Sequence, residues 1–221
     1  MLHWLKSRLT GDYREPSPFP RGAALDSLRY VVLDTELTSL DKRSNRLLSI
    51  GAVAMDGMKI RLGEQFYRVV NPGVPVPRET VVVHHLRSED LQGCEPLAKT
   101  LEELRQFVAG AVLVGHFVNI DLEVLWKELG GSRRELANPA IDTARAHQWI
   151  LLHGHYSEDL PVQLEKLDLP TLLKFYGLEL HAAHHALSDA FTTAQVWQRM
   201  IPKLKANRVG NLGDLLKIAG V

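Results

Sequence analysis

The chain has 221 residues, 45% hydrophobic and 24% charged, and its 26 basic residues balance 26 acidic ones. That length supports one good core or at most two small ones, and the charge balance argues against a broad grip on long duplex nucleic acid, which needs a basic surplus. One cysteine, Cys94, excludes an internal disulfide framework and fits a reducing, cytoplasmic setting. No apolar run approaches the ~18–20 residues of a membrane helix, and Lys6, Arg8 and Asp12 interrupt any signal-peptide core.

Residues 1–27 read as an N-terminal appendage. Pro16, Pro18 and Pro20, followed by Gly22, favour an extended connector, and residues 2–9 form either a short amphipathic helix or a frayed end. The apolar, β-rich run over residues 29–36 predicts a buried strand. Residues 47–55 and 59–70 predict two more, with Asp56-Gly57 as the hairpin signal between them. Residues 71–77 break the pattern with three prolines. A helix is expected over residues 96–109, with Leu97, Leu101, Leu104, Phe107 and Val108 on one face. Residues 111–114 predict a short buried strand ending at Gly115. The next helix places Leu122, Leu125, Trp126 and Leu129 on one stripe and stops at Gly130-Gly131. A fifth strand is expected at residues 139–142, then helices over 143–152 and 171–176, the second ended by Gly177. A last long helix spans residues 186–200, with Ala190, Ala194, Trp197 and Ile201 on one side, and a small helix lies within 211–220. Three consecutive strands followed by alternating helices and strands predict one α/β domain over residues 28–205, a mixed five-stranded sheet flanked by helices, with 206–221 as a short tail.

Asp34 and Glu36 sit two apart at the end of the first strand and so share a face. Two carboxylates side by side on a partly buried strand repel each other unless a cation lies between them, and hard oxygen ligands suit magnesium or manganese. Taken alone, the pair reads equally well as two hydrated acids. Asp121 borders the apolar stripe in the first turn of its helix, where the macrodipole by itself accounts for a carboxylate. His184 and Asp189 are five apart, roughly 140° around a helix axis, so both cannot serve one site from one helix. His184 therefore belongs to the preceding loop and Asp189 to the opening turns of the helix. A loop histidine beside such a site is able to take a proton near neutral pH, although ten histidines make one in a loop unexceptional. Zinc at His181, His184 and His185 is weighed and set aside, because no zinc motif of defined spacing is present. Asp142 and Thr143 read as a helix N-cap in preference to a supporting pair behind the site.

The order and local wording of these segments resemble the DEDD exonuclease superfamily, in the branch with a histidine in its last motif. Proofreading epsilon subunits of bacterial replicative polymerases and ribonuclease T belong to that branch. Asp34-Thr35-Glu36 matches the first motif, and Ile50-Gly51-Ala52-Val53 the strand that follows it. Val83-His84-His85-Leu86 with Asp90-Leu91 echoes a later turn, Gly115 to Asp121 has the shape of the second motif, and His184 to Ala190 matches the third. That register selects His184 over His185. Three positions depart from the pattern: Leu37 stands for a usual threonine, Ser39 for a glycine, and Phe117 for the asparagine after the motif histidine.

The resemblance implies a ribonuclease H-like fold and a metal-dependent 3'-5' exonuclease that releases nucleoside 5'-monophosphates. In it, Asp34, Glu36, Asp121 and Asp189 hold two divalent ions, Mg2+ or Mn2+, and His184 takes a proton from the attacking water. Thr35, Leu37 and His116 are the expected substrate-binding residues, with Leu37 packing on the terminal base. Single-stranded or frayed DNA is the favoured substrate, with trimming of RNA 3' ends as the alternative. A non-catalytic module recruiting a partner on the same fold is the reading from another class. A polymerase partner or a homodimer is compatible with the sequence, and the short stretch after the domain favours a stand-alone nuclease.

Overall fold

The computed structural model describes residues 19–87, 89–154, 166–179 and 184–221; the helix considered for residues 2–9 lies outside them. Strand alternation around β1 (Arg29–Leu37) organises the molecule. β2 (Leu47–Asp56) and β3 (Lys59–Val69) continue antiparallel on one side. β4 (Val112–Gly115) and β5 (Ala140–Asp142) run parallel to β1 on the other, giving the order β3-β2-β1-β4-β5. Gly57 closes the β2–β3 hairpin at φ +55°, a backbone conformation that suits glycine.

Because successive strand residues point to opposite faces, β1 feeds two cores. Tyr30 and Val32 join Val53, Met55, Val112 and Val114 under α4 (Thr143–His153), α5 (Leu169–Tyr176), α6 (Ala186–Ala206) and α7 (Leu212–Ala219). Val31 and Leu33 join Ile50, Ala52, Ala54 and Leu113 against α2 (Leu97–Phe107) and α3 (Asn119–Glu128). The central anchor on the first face is Trp197, fully buried and edge-on to Tyr30 with ring centroids 5.6 Å apart. Burial of such a side chain contributes about 1.5–3 kcal/mol, so the α6 face is fastened at its centre. No helix among the described residues is long and apolar enough to cross a membrane.

Several bounds differ from the sequence expectation. α1 (Arg78–His84) was not anticipated: Val81, Val82 and Val83 are β-branched and disfavour a helix, but Pro77 starts it and His85 ends it in a left-handed conformation at φ 60°. α6 runs to Ala206 instead of stopping at residue 200. Pro202 lies inside it and removes one backbone donor, but Ile201 and Leu204 prolong the buried stripe across that break. α3 ends at Glu128 with Leu129 as its C-cap, and Trp126 and Leu129 are only partly buried at the margin of their core. α5 starts earlier than residue 171, because Asp168 caps it and accepts the Thr171 amide hydrogen.

Residues 19–27 and 206–221 both contribute to the first core. Leu25, Leu212, Leu215 and Ala219 are buried in it. A bridge pairs Ala24 with Asn211, and a second pairs Ile141 of β5 with Gly220.

Candidate active site

The alternation that feeds two cores also sorts the residues at the end of β1. Asp34 and Glu36 extend the row of Tyr30 and Val32, towards α6, while Thr35 extends the row of Val31 and Leu33. α6 brings Asp189, in its first turn, to the first row. Ligand oxygens of Asp34, Glu36 and Asp189 lie within 4.8 Å of one another. α3 brings Asp121, 5% exposed, to the second row. Its Oδ1 accepts two hydrogen bonds from Thr35, one from the amide at 2.9 Å and one from the hydroxyl at 2.6 Å.

Gly51 explains how α6 comes so close. It sits opposite Asp34 in the β1–β2 register, and a Cβ there would stand 2.1 Å from the backbone nitrogen of Leu187. The helix start therefore rests directly on bare backbone, and Asp189 hangs over Asp34 as a result. This is the physical content of the Ile50-Gly51-Ala52-Val53 segment.

All four carboxyl groups are held above the ordinary carboxylate range, chiefly by burial. The carboxylates of Asp121, Asp189 and Glu36 push Asp34 up further. Glu36 rises to about 7, with Asp189 and Asp121 adding to burial. Asp121 also rises to about 7, although the Thr35 hydrogen bonds pull the other way. Asp189 rises less freely, because the His184 amide favours its ionised form. An all-oxygen set that resists carrying its own charge fits hard divalent cations. His181 of the weighed zinc cluster lies outside the described residues.

His184 adopts a left-handed backbone at φ 64°, and its amide donates to Asp189 Oδ2 at 2.8 Å. The loop and the helix that carry the last motif are thereby tied together. His184 borders the same cavity as Asp34, Glu36 and Asp121. His185 is engaged elsewhere: its Nδ1 accepts the Ser188 amide hydrogen at 3.4 Å, and its ring stacks on Tyr67 at 4.6 Å.

The cavity measures about 350 Å3. Thr35, Leu37 and His116, the expected substrate-binding residues, all line it. Leu37 is nearly buried. The Thr35 hydroxyl donates to Asp121 Oδ1. His116 pairs through Nδ1 with the Thr143 hydroxyl at 3.0 Å, and burial lowers its pKa. Thr143 also donates to the Gly115 carbonyl, and Asp142 caps α4 by accepting the Ala144 and Arg145 amide hydrogens.

Other lining residues were not singled out as site residues. Thr80 and His84 come from α1, whose valine run hides it as a helix. His84 is buried. Its Nδ1 accepts the Leu86 amide hydrogen at 3.1 Å, so in the neutral ring Nε2 carries the proton, without a partner among the described residues. Leu40 and Ile120 are exposed apolar residues at the mouth. A readable signal existed for Ile120, which is apolar yet falls outside the helix stripe the core uses. Phe117 also lines the mouth. At φ 52° it carries a side chain where the left-handed backbone costs about 1–2 kcal/mol.

A family model described as an exonuclease, RNase_T, matches residues 31–197. The chain belongs to this exonuclease family. A DNA polymerase III subunit epsilon-like protein of Rhodobacter capsulatus is 30% identical over 195 residues, covering 87% of this chain and 26% of that protein. The DNA polymerase III subunit epsilon of Aquifex aeolicus is 26% identical over 176 residues, 79% of this chain and 81% of that one. The chain thus spans about a quarter of the Rhodobacter protein's length, and 11–13% of four PolC-type DNA polymerases III that it also resembles. Among solved structures, the nuclease domain of 3'hExo, described as a DEDDh family member bound to rAMP, has a TM-score of 0.67 at 12% identity. The match covers 81% of this chain and 94% of that one. The ribonuclease H-like exonuclease fold is shared.

Proposed function

We propose that this exonuclease domain is a metal-dependent 3'-5' exonuclease that removes nucleoside 5'-monophosphates from single-stranded or frayed DNA ends. One observation carries the reading: carboxylates from β1 and from α6, 153 positions apart in the case of Glu36 and Asp189, come within 4.8 Å of one another, and Asp34 and Glu36 line a cavity that the loop histidine His184 also borders. Asp34, Glu36, Asp121 and Asp189 would hold two divalent ions, Mg2+ or Mn2+. When bound, these supply the positive charge that clamps the oxygens of the scissile phosphate.

The chain's own residues do the rest. Thr35 fixes Asp121 through two hydrogen bonds, so that carboxylate is placed before substrate arrives. The His184 amide fixes Asp189, and the same loop holds the His184 imidazole at the cavity, where it accepts a proton from the attacking water. Leu37, with Leu40 and Ile120 at the mouth, offers the terminal base an apolar wall. DNA is favoured over RNA because the curated relatives are named as DNA polymerase III subunits. The same names support association with a polymerase. A single cysteine accords with a cytoplasmic place of work.

The test is digestion of 3'-labelled oligomers in Mg2+ or Mn2+, with single-stranded DNA, duplex DNA and RNA side by side. Single-stranded DNA should shorten from its 3' end with release of 5'-monophosphates, and Asp34→Ala should lower the rate by about 1,000-fold or more, the loss of several kcal/mol of charge stabilisation. Equal digestion by the variant sinks the reading, and a strong preference for RNA moves it to RNA trimming.

A further inference from the structure

We propose that Phe117 is a stacking platform for a nucleobase of the bound single strand. The proposal rests on the nuclease reading above and names how that site holds its substrate.

The backbone fixes Phe117 between two anchors. β4 ends at Gly115, where a Cβ would meet the Val118 side chain at 2.6 Å, so Val118 tucks under the strand end and is fully buried. His116 is held by Thr143 on the other side. The Phe117 carbonyl accepts the Ile120 amide hydrogen at 2.9 Å, which opens the turn into α3. Tethered this way, residue 117 takes φ 52°. Asparagine or glycine tolerates that conformation far better than an aromatic residue. Local conformation therefore gives no reason for phenylalanine here.

Nor does the core. Phe117 is 43% exposed and leans on the His116 ring, with centroids 4.5 Å apart at 56°. Ile120, 41% exposed, and Leu40, 82% exposed, share the same mouth. An aromatic ring held in a strained backbone, half in solvent and beside the carboxylates, matches the way single strands are gripped through the π-faces of their bases. Charge supports the same conclusion. With 26 basic and 26 acidic residues the chain has no net surplus to hold phosphates, so more of the grip falls to contacts that salt does not screen.

The experiment compares wild type, Phe117→Asn and Phe117→Trp. Binding of a dye-labelled dT oligomer is read by fluorescence anisotropy over a salt series, and digestion of the same oligomer is followed in Mn2+. Phe117→Asn should weaken binding about tenfold with an unchanged salt slope, and raise KM more than it changes kcat. An oligomer whose last two nucleotides are abasic should show no difference between this variant and wild type. Phe117→Trp should bind within threefold of wild type. Because asparagine relieves the left-handed backbone, the Tm of Phe117→Asn should rise by about 2–4 °C, which separates lost stacking from damaged folding. A loss under threefold with Phe117→Asn, or an equal loss on the abasic oligomer, overturns the platform while leaving the nuclease reading intact. A wild-type chain that binds the oligomer through Phe117 but never shortens it has the opposite meaning.

Discussion

The two rows of side chains on β1 begin alike and end differently. Tyr30 and Val32 run into Asp34 and Glu36; Val31 and Leu33 run into Thr35 and Leu37. The first row passes from core to a cluster of acids that burial keeps from ionising freely. The second passes from core to a threonine that steadies Asp121 and a leucine in the cavity wall. One strand thus presents the proposed ion-holding groups on one face and their support on the other. The alternation that makes a two-sided core also separates the charged groups from the groups that position them.

The sharpest way to break this division is to lift α6 off the first row. Gly51→Ala places a methyl group 2.1 Å from the Leu187 nitrogen, against backbone that cannot rotate away. Overpacking of this kind costs about 1–3 kcal/mol and sometimes more, so Tm should fall by roughly 4–10 °C. Asp189 should move with the helix, and nuclease activity should fall about 100-fold even where the variant remains folded. Circular dichroism melts alongside the digestion assay check this; a variant with wild-type activity would mean that the close approach does not place Asp189.

The second row is tested by Thr35→Val, which keeps the shape and removes the hydroxyl. Asp121 Oδ1 then keeps only the amide donor. Loss of a partner behind an ion-holding carboxylate lowers affinity or activity about 10–100-fold. The expected result is a rise of that order in the Mn2+ concentration needed for half-maximal rate, with Tm little changed. Unaltered Mn2+ dependence would show that Thr35 has no positioning part.

The smallest effect sharpens the electrostatic side. Glu36 is raised from 4.5 to about 7, first by burial and then by Asp189 and Asp121. The folded state then binds more protons than the unfolded one between those values, so this group makes the cation-free chain less stable as pH rises through that window. His84, His116 and His147, whose pKa values burial lowers, act in the opposite sense over part of the same range. The measurement is therefore the Tm difference between Glu36→Gln and wild type in EDTA. It should be near zero at pH 4.5 and favour the variant by several degrees at pH 7.5, and Mn2+ should erase the advantage. A difference that shrinks with rising pH contradicts the raised pKa.

Periodicity made the sheet legible. Apolar runs of strand length, the Asp56-Gly57 turn and the glycine stops place five strands in chain order, and the spacing of Asp34 and Glu36 alone puts them on one face. α1 was hidden because its valines argue locally for a strand, while what keeps it helical is its start after Pro77 and its left-handed end at His85. α6 runs past the expected end at residue 200 to Ala206, because Ile201 and Leu204 stay buried on either side of Pro202. In the site, spacing put Asp34 and Glu36 together, while Asp121, Asp189 and His184 were selected by the resemblance of their segments to the exonuclease motifs. The commitment of Thr35 to Asp121, and the rest of α6 on Gly51, arise only where separate segments meet.

β5 has only three residues, and one side of it faces away from β4. The carboxy-terminal residues cover that side: Gly220 bridges to Ile141, the Val221 amide donates to the Ala140 carbonyl at 3.2 Å, and Arg145 binds the Gly220 carbonyl at 2.7 Å. Without them the last parallel strand would show bare hydrogen-bonding groups, a template on which other chains can assemble. A polypeptide trimmed back to residue 205 would keep every acid discussed above and still be prone to clump, because the segment that looks dispensable acts as its hem.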